Sequence, residues 1–158
     1  MAEQKTNVMR LLEQKKVKYT AHEYPHGDEA VDGLTVARLT GLDPEKVFKT
    51  LVLRGASKTI YVFVVPVEAE LELKKAAKAV GEKSVAMIHV SEITGLTGYV
   101  RGGCSPIGMK KQYKTFIHES CLELDTMVVS AGRIGHQIEL APQELIKLSR
   151  AVTADIIS

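Results

Sequence analysis

Two apolar runs separated by a turn sequence constrain the fold of this chain more than any other feature. Residues 47–53 and 59–66 are rich in Val, Leu, Phe and Tyr, which favour strands. Residues 55–58, Gly-Ala-Ser-Lys, are typical of a hairpin turn. The pattern therefore predicts two adjacent, largely buried antiparallel strands.

The composition is that of an ordinary soluble globular domain. Of the 158 residues, 45% are hydrophobic and 25% are charged, and no Trp is present. This length predicts one domain over residues 1–158, with a core built mainly from Val, Leu, Ile and Ala. Lys and Arg total 21 against 19 for Asp and Glu, and both signs are spread along the chain. That balance does not indicate an extended nucleic-acid surface, although it leaves room for a small basic site.

The remaining capping residues, turn residues and apolar runs indicate short helices among several strands. Helices are predicted at 7–15 after the N-cap Thr6, at 35–40, at 73–80, as a short turn at 91–95, and from 141 onward. Further strands are predicted at 18–24, 113–118, 126–130 and 137–140. We therefore expect an α+β fold, a single domain with a strongly curved mixed or antiparallel sheet and surrounding short helices.

Neither a membrane segment nor a metal site is expected. Residues 1–10 are polar, and the longest apolar run, 60–67, is too short to span a bilayer, so we expect a cytoplasmic protein. Cys104 and Cys121 lack metal-ligand spacing and are expected to be reduced. His22 and His26 are four residues apart, but the Pro and Gly beside His26 argue against a helix there. No metal and no cofactor are expected.

The segment 102–108, Gly-Gly-Cys-Ser-Pro-Ile-Gly, is the first candidate for function. Glycines allow a ligand to approach the main chain closely, and such a loop can direct backbone N–H groups at an oxyanion or phosphate. Lys110 and Lys111 follow it, and with Lys114 they form a basic cluster that contacts phosphates or is simply solvated. The alternative for the loop is a surface turn between two strands.

Lys49 is the second candidate because it lies inside an apolar strand. Alternation places it on the same face as Val47 and Leu51. A lysine there extends to solvent, pairs with an acid or meets an anionic ligand. The alternative is an edge-strand lysine that protects against aggregation.

Other polar segments allow both a functional and a structural interpretation. The segments 130–135 and 24–29 are candidate site loops or plain turns. Cys104 is interpreted as a small, half-buried loop residue rather than a nucleophile, since no partner for a triad is recognisable. Ser105 lacks the strand–turn–helix context of a nucleophile elbow.

Five segments taken in order resemble one family. The chain is similar to the YbaK-type Cys-tRNA deacylases, free-standing relatives of the editing domain inserted in bacterial prolyl-tRNA synthetase, from about residue 8 to the last helix. The segments that carry the resemblance are Phe-Lys-Thr-Leu at 48–51, Leu-Lys-Lys-Ala-Ala-Lys at 73–78, Gly-Tyr-Val-Arg-Gly-Gly-Cys-Ser-Pro-Ile-Gly at 98–108, Val-Ser-Ala-Gly-Arg at 129–133 and Ile-Glu-Leu-Ala-Pro at 138–142.

The resemblance implies the editing-domain fold and hydrolysis of the ester that joins cysteine to mischarged tRNA(Pro), with Cys-tRNA(Cys) as a second substrate. Proline and cysteine are similar enough in volume for a synthetase pocket to confuse them, which calls for a second, editing site. The implied partners are the tRNA(Pro) acceptor end carrying cysteine and prolyl-tRNA synthetase, without a membrane or a metal.

The resemblance also implies site residues. Lys49 is the key side chain, expected to hold the terminal adenosine phosphate or the ester end in register. The substrate-binding residues that carry over are Tyr24, Thr50, Gly102, Gly103, Ser105, Pro106 and Ser130. Cys104 departs from the small aliphatic residue usual in the family, and the segment 27–33 matches the family least well.

The mechanism that the resemblance suggests is substrate-assisted: the cysteine thiol attacks its own ester carbonyl and expels the ribose oxygen. The enzyme is then a hydrolase, or lyase-like if a thiolactone is released. Two alternatives stay open. One is a non-catalytic module that binds the tRNA acceptor end or a synthetase. The other is a deacylase for another small amino acid such as alanine.

Overall fold

The computed structural model describes residues 5–25 and 32–158 of the chain. Within these ranges lie α-helices, a 3-10 helix and β-strands. The helices are α1 (Asn7–Gln14), α2 (Gly33–Thr40), α3 (Leu73–Val80), α4 (Val90–Thr97), α5 (Pro142–Ser149) and the 3-10 helix Glu119–Glu123. The strands are β1 (Thr20–Glu23), β2 (Phe48–Gly55), β3 (Ile60–Pro66), β4 (Val85–Met87), β5 (Lys114–His118), β6 (Met127–Arg133), β7 (His136–Leu140) and β8 (Val152–Ala154).

The predicted hairpin of β2 and β3 lies at the centre of a five-stranded sheet with the order β4-β2-β3-β5-β8. Strands β2 and β3 are antiparallel, with Phe48 opposite Pro66 and Arg54 opposite Ile60. The turn closes through the Lys58 amide, which donates to the Gly55 carbonyl over 2.8 Å. Strand β3 pairs in parallel with β5, which pairs in parallel with β8. The predicted antiparallel pair is confirmed.

A second sheet contains three antiparallel strands in the order β1-β7-β6. Ser130 on β6 lies opposite Gln137 on β7, and a bulge follows between Ser130 and Arg133. That bulge lets β6 continue through residues for which the sequence predicts a turn. The α+β class with mixed and antiparallel sheets is confirmed, with the strands divided between two open sheets.

The two sheets meet at a parallel bridge between Val47 and Val128. The Val128 amide also donates to the Lys46 carbonyl over 2.8 Å. Both valines are fully buried with Ala37 of α2 in a small apolar cluster. Beyond this bridge β2 and β6 belong to different sheets, so a space opens between them.

Strand β3 is buried on both faces, which explains its unbroken apolar sequence. Val62 and Val64 pack into the core that α1 and α5 cover. Tyr61, Phe63 and Val65 pack into the core that α3 covers. Such continuous burial of branched and aromatic side chains is the main favourable contribution to folding.

Helix ends follow the predicted signals. The Thr6 hydroxyl accepts from the Met9 amide over 3.2 Å and caps α1. Helices α2 and α3 end at Gly41 and Gly81, with φ values of 72° and 76° that favour glycine. Helix α4 is longer than the predicted turn at 91–95. Every described helix has at most eight residues, and none is long and apolar enough to cross a membrane.

Candidate functional site

A cavity of about 190 Å³ opens where β2 and β6 separate beyond the Val47–Val128 bridge. Strand β2, strand β6, the start of α2 and the glycine loop all contribute to its wall. The residues that line it are Tyr24, Gly33, Val36, Phe48, Lys49, Thr50, Leu51, Val67, Arg101, Gly102, Cys104, Ser130 and Gln137.

This cavity brings together residues that the sequence separates widely. Among the predicted site residues, those that line it are Tyr24, Lys49, Thr50, Gly102 and Ser130. Lys49 and the glycine loop, which the sequence analysis singles out on independent grounds, therefore share one space. The predicted loop 24–29 continues into residues 26–29, which lie outside the described residues.

The electrostatics of the cavity favour an anionic ligand. Lys49 and Arg101 are its cations, and no Asp or Glu occurs among the described residues that line it. Lys49 is half-buried and forms no ion pair with any residue in the described ranges. A partly desolvated cation without a carboxylate partner attracts a phosphate, an oxyanion or a thiolate.

Only Gly102 and Cys104 of the glycine loop line the cavity. Gly102 is exposed there and has a φ of 86°, a conformation that favours glycine. Gly103, Ser105 and Pro106 are buried behind the cavity wall. A Cβ on Gly103 would lie 3.0–3.1 Å from backbone atoms of Arg133 and Ile134, so the loop packs directly on the β6–β7 turn.

Ser105 stabilises the loop from within. It is fully buried, and its hydroxyl accepts from the Ile107 amide over 3.3 Å. A serine in this position shapes the loop backbone and does not reach the cavity. Ser105 therefore does not line the cavity itself and lies behind the Gly102 part of the loop.

Two polar atoms at the cavity have no partner within residues 5–25 and 32–158. Thr50 Oγ1 and Gln137 Oε1 are buried and make no hydrogen bond with any described residue. Gln137 as a whole residue is only 6% exposed to solvent. Such atoms cost about 1–3 kcal/mol each when they stay unpaired, so a ligand that pairs with them gains affinity.

Gln137 and Arg101 also line the cavity, although no sequence signal marks them as site residues. The alternation at 137–140 predicts a strand with Gln137 on its polar face, but it does not show what that face meets. Only the register of β7 against β6, which sets Gln137 opposite Ser130, places both side chains at the cavity. Arg101 precedes the glycine loop 102–108, so the pattern of that loop does not include it.

Cys104 lines the cavity as a protonated thiol. Burial raises its pKa to about 11, and a hydrogen bond with Thr97 opposes this only in part. A thiol with that pKa is un-ionised at neutral pH and is a poor nucleophile. Cys104 and Cys121 are both free, as predicted. No group of His, Cys, Asp and Glu within residues 5–25 and 32–158 could hold a metal ion.

A network centred on Glu139 holds the sheets together near the cavity. The carboxylate accepts from Lys46 Nζ over 2.6 Å and from Thr126 Oγ1, and lies 2.8 Å from His22 Nε2. Burial raises the pKa of Glu139, but the hydrogen bonds from Lys46, Thr126 and His22 outweigh it, and the pKa falls to about 2. The network joins β1, β7 and the segment that leads into β2.

Comparison with known proteins adds relatives that span nearly the whole chain. A protein of Enterococcus faecalis named "Putative Cys-tRNA(Pro)/Cys-tRNA(Cys) deacylase EbsC" is 44% identical over 154 residues, which cover 98% of this chain and 94% of the relative. A solved structure described as "Crystal structure of a putative trans-editing enzyme for prolyl tRNA synthetase" has a TM-score of 0.82 at 24% identity and covers 99% of both chains.

Another solved structure, of the hypothetical protein APE2540, has a TM-score of 0.86 at 21% identity and covers 97% of this chain and 100% of that one. At these identities the two structures show a shared fold. Residues 29–148 match the family model described as "Aminoacyl-tRNA editing domain". Because this match spans most of the sequence, the chain belongs to the aminoacyl-tRNA editing domain family.

Proposed function

We propose that this protein removes cysteine from mischarged tRNA(Pro), and also from Cys-tRNA(Cys). The observation that carries the proposal is the shared cavity of Lys49 and Gly102 in a chain of the editing family. The Enterococcus faecalis relative, whose name gives the same two substrates, supports the choice of amino acid.

Lys49 is the proposed catalytic residue. Its ammonium group holds the terminal adenosine phosphate or the ester end in register, because no described carboxylate competes for it. The backbone N–H of Gly102 donates to the ester carbonyl as it becomes an oxyanion. Tyr24, Thr50 and Ser130 contact the substrate. Gly103, Ser105 and Pro106 hold the loop behind Gly102 in shape.

The proposed reaction uses the nucleophile of the substrate. The cysteine thiolate forms a bond to its own ester carbonyl carbon, and the tetrahedral oxyanion then collapses. The bond to the ribose oxygen breaks, and that oxygen takes up a proton. The product is a cyclic thioester, which water opens to free cysteine. A free thiol has a pKa of about 8.5, so a few per cent is thiolate at neutral pH.

Discrimination then follows from the chemistry of the bound amino acid. A seryl hydroxyl is almost never ionised at neutral pH, and alanine and proline carry no nucleophile in their side chains. Lys49 and Arg101 further favour the thiolate form. The protein has only to fold the aminoacyl group into attack geometry, and such orientation can lower a barrier by several kcal/mol.

The test is a panel of charged tRNAs incubated with the purified protein while loss of the aminoacyl group is timed. We expect Cys-tRNA(Pro) and Cys-tRNA(Cys) to be deacylated at least about 10-fold faster than Ser-, Ala- or Pro-tRNA(Pro). Faster loss of alanine would favour an alanine deacylase. Binding of the acceptor end without turnover would favour a non-catalytic module.

Prolyl-tRNA synthetase is the proposed partner for delivery. The formal charge of +2 leaves few net cations for a phosphate backbone, so we expect weak affinity for tRNA alone. Adding the synthetase at limiting enzyme concentration should then raise the deacylation rate of Cys-tRNA(Pro). An unchanged rate would remove the synthetase from the proposal and leave the deacylase in place.

A further inference from the structure

We propose that Gln137 recognises the α-amino group of the bound cysteine and thereby fixes the aminoacyl end for attack. The inference rests on the proposed function and assigns a specificity-determining contact to that site. It is carried by the burial of Gln137, by its unpartnered oxygen and by its position on the cavity wall.

The backbone fixes the direction of this side chain. Ile138 and Leu140 on β7 point into the core, so Gln137 points to the opposite face of the strand. On β6, Val129 and Ala131 are likewise in the core, and Ser130 points the other way. Since Ser130 and Gln137 are cross-strand partners, they stand side by side on the wall of the cavity.

The environment of Gln137 differs from that of Arg101 and Gly102 at the same cavity. Arg101 and Gly102 are exposed, whereas Gln137 is 6% exposed and shares the buried part of the wall with Val36, Phe48 and Val67. The tRNA body and its adenosine must stay on the exposed side. The group that reaches the buried wall is the aminoacyl end.

The chemistry of Gln137 Oε1 determines which group of the substrate can bind to it. A glutamine carbonyl oxygen only accepts hydrogen bonds, and Gln137 Oε1 accepts none from the described residues. Within the cysteinyl group of Cys-tRNA the strong donor is the α-amino group, since the thiol is a weak donor and the ester has none. Thr50 Oγ1 is also unpartnered, but a hydroxyl both donates and accepts, so it selects less sharply.

The test combines a variant with a modified substrate. Gln137→Met keeps the shape of the side chain and removes the acceptor. The substrates are Cys-tRNA(Pro) and 3-mercaptopropionyl-tRNA(Pro), which retains the thiol and carries hydrogen in place of the amino group. Gln143→Met, at an exposed position on α5, is the matched control.

We expect Gln137→Met to lower kcat/KM for Cys-tRNA(Pro) by about 10-fold or more, the effect of one hydrogen bond to an amino group. On the mercaptopropionyl substrate the variant and the wild type should agree within about twofold, since the contact is absent from both. Gln143→Met should match the wild type on both substrates.

An equal loss on both substrates would mean that Gln137 only supports the structure, and it would overturn the inference. An unchanged kcat/KM for Cys-tRNA(Pro) would overturn it as well. Both outcomes leave the deacylase standing. A wild-type protein that deacylates neither thiol-bearing substrate would instead refute the proposed function, and the inference with it.

Discussion

Gln137 and Glu139 are two residues apart on the same face of β7, yet their side-chain oxygens differ in hydrogen bonding. The Glu139 carboxylate contacts Lys46, His22 and Thr126, whereas Gln137 Oε1 contacts no polar group among the described residues. A saturated polar group stabilises the fold, and an unsaturated buried one weakens it unless a ligand arrives. The contrast separates the part of the strand that joins the sheets from the part that faces the candidate site.

The largest effect on activity is expected at Lys49, the cation that lines the same cavity as Gln137. Lys49→Ala should lower kcat/KM for Cys-tRNA(Pro) by about 100-fold or more, because one preorganised charged contact to the reacting end is lost. The measurement is single-turnover deacylation. Lys74→Ala, at an exposed lysine on α3, is the control and should behave as the wild type. A Lys49→Ala variant with full activity would show that the cavity is not the active site.

The next largest effect is expected on stability, at Glu139 and the residues that bind its carboxylate. The pKa of Glu139 falls from its ordinary 4.5 to about 2, which corresponds to roughly 3 kcal/mol of stabilisation at neutral pH. Because the folded state has the lower pKa, this stabilisation is complete above about pH 5 and is lost as the pH falls towards 2. Glu139→Gln should therefore lower the free energy of unfolding at pH 7 and flatten its dependence on pH across that window.

Urea denaturation of both proteins at several pH values measures this effect. A Glu139→Gln variant with the stability of the wild type at pH 7 would mean that the network contributes little. A variant that retained the full loss of stability between pH 5 and 2 would place the responsible carboxylate elsewhere.

A smaller effect of the opposite sign is expected when Gln137 is changed. Gln137→Met removes a buried acceptor that has no partner in the described part of the chain, so the free energy of unfolding should stay constant or rise by up to about 1 kcal/mol. The same variant should lose activity. A fall of more than about 1 kcal/mol would show that Gln137 stabilises the fold, and the contrast with Glu139 would fail.

The smallest effect on activity is expected at Cys104. Its thiol is un-ionised at neutral pH, because burial raises the pKa to about 11. Cys104→Ala should therefore keep deacylation of Cys-tRNA(Pro) within about threefold of the wild type. An inactive Cys104→Ala variant would point to covalent catalysis by the protein thiol in place of the substrate thiol.

Local signals in the sequence account for much of the fold. The hairpin, the glycine helix ends and the N-cap at Thr6 each depend on a few neighbouring residues, and each was predictable. Strands β4 and β8 were missed because each has three residues, too few for a periodic pattern, and pairs with distant segments. The junction of the two sheets lies at the bridge between Val47 and Val128, a contact between distant residues that no local pattern encodes.

The residues of the candidate site also divide into those that local sequence signals indicate and those that only the folded chain brings to the cavity. Lys49 and Gly102 were recognisable because a cation in an apolar strand and a glycine-rich loop are unusual in themselves. The segments 24–29 and 130–135 were only candidate loops, and the family resemblance assigned Tyr24 and Ser130 within them to substrate binding. Gln137 is an ordinary polar residue in an alternating strand. Its place at the cavity depends on the register of β7 against β6, and register is a property of the folded chain.

The most direct test of the account is a crystal structure with a non-hydrolysable substrate analogue, adenosine carrying cysteine through a 3′-amide. The account predicts the analogue in the cavity between β2 and β6, with its carbonyl group between Lys49 and Gly102 and its thiol free to approach that carbonyl carbon. An analogue bound at another surface, with this cavity empty, would contradict it.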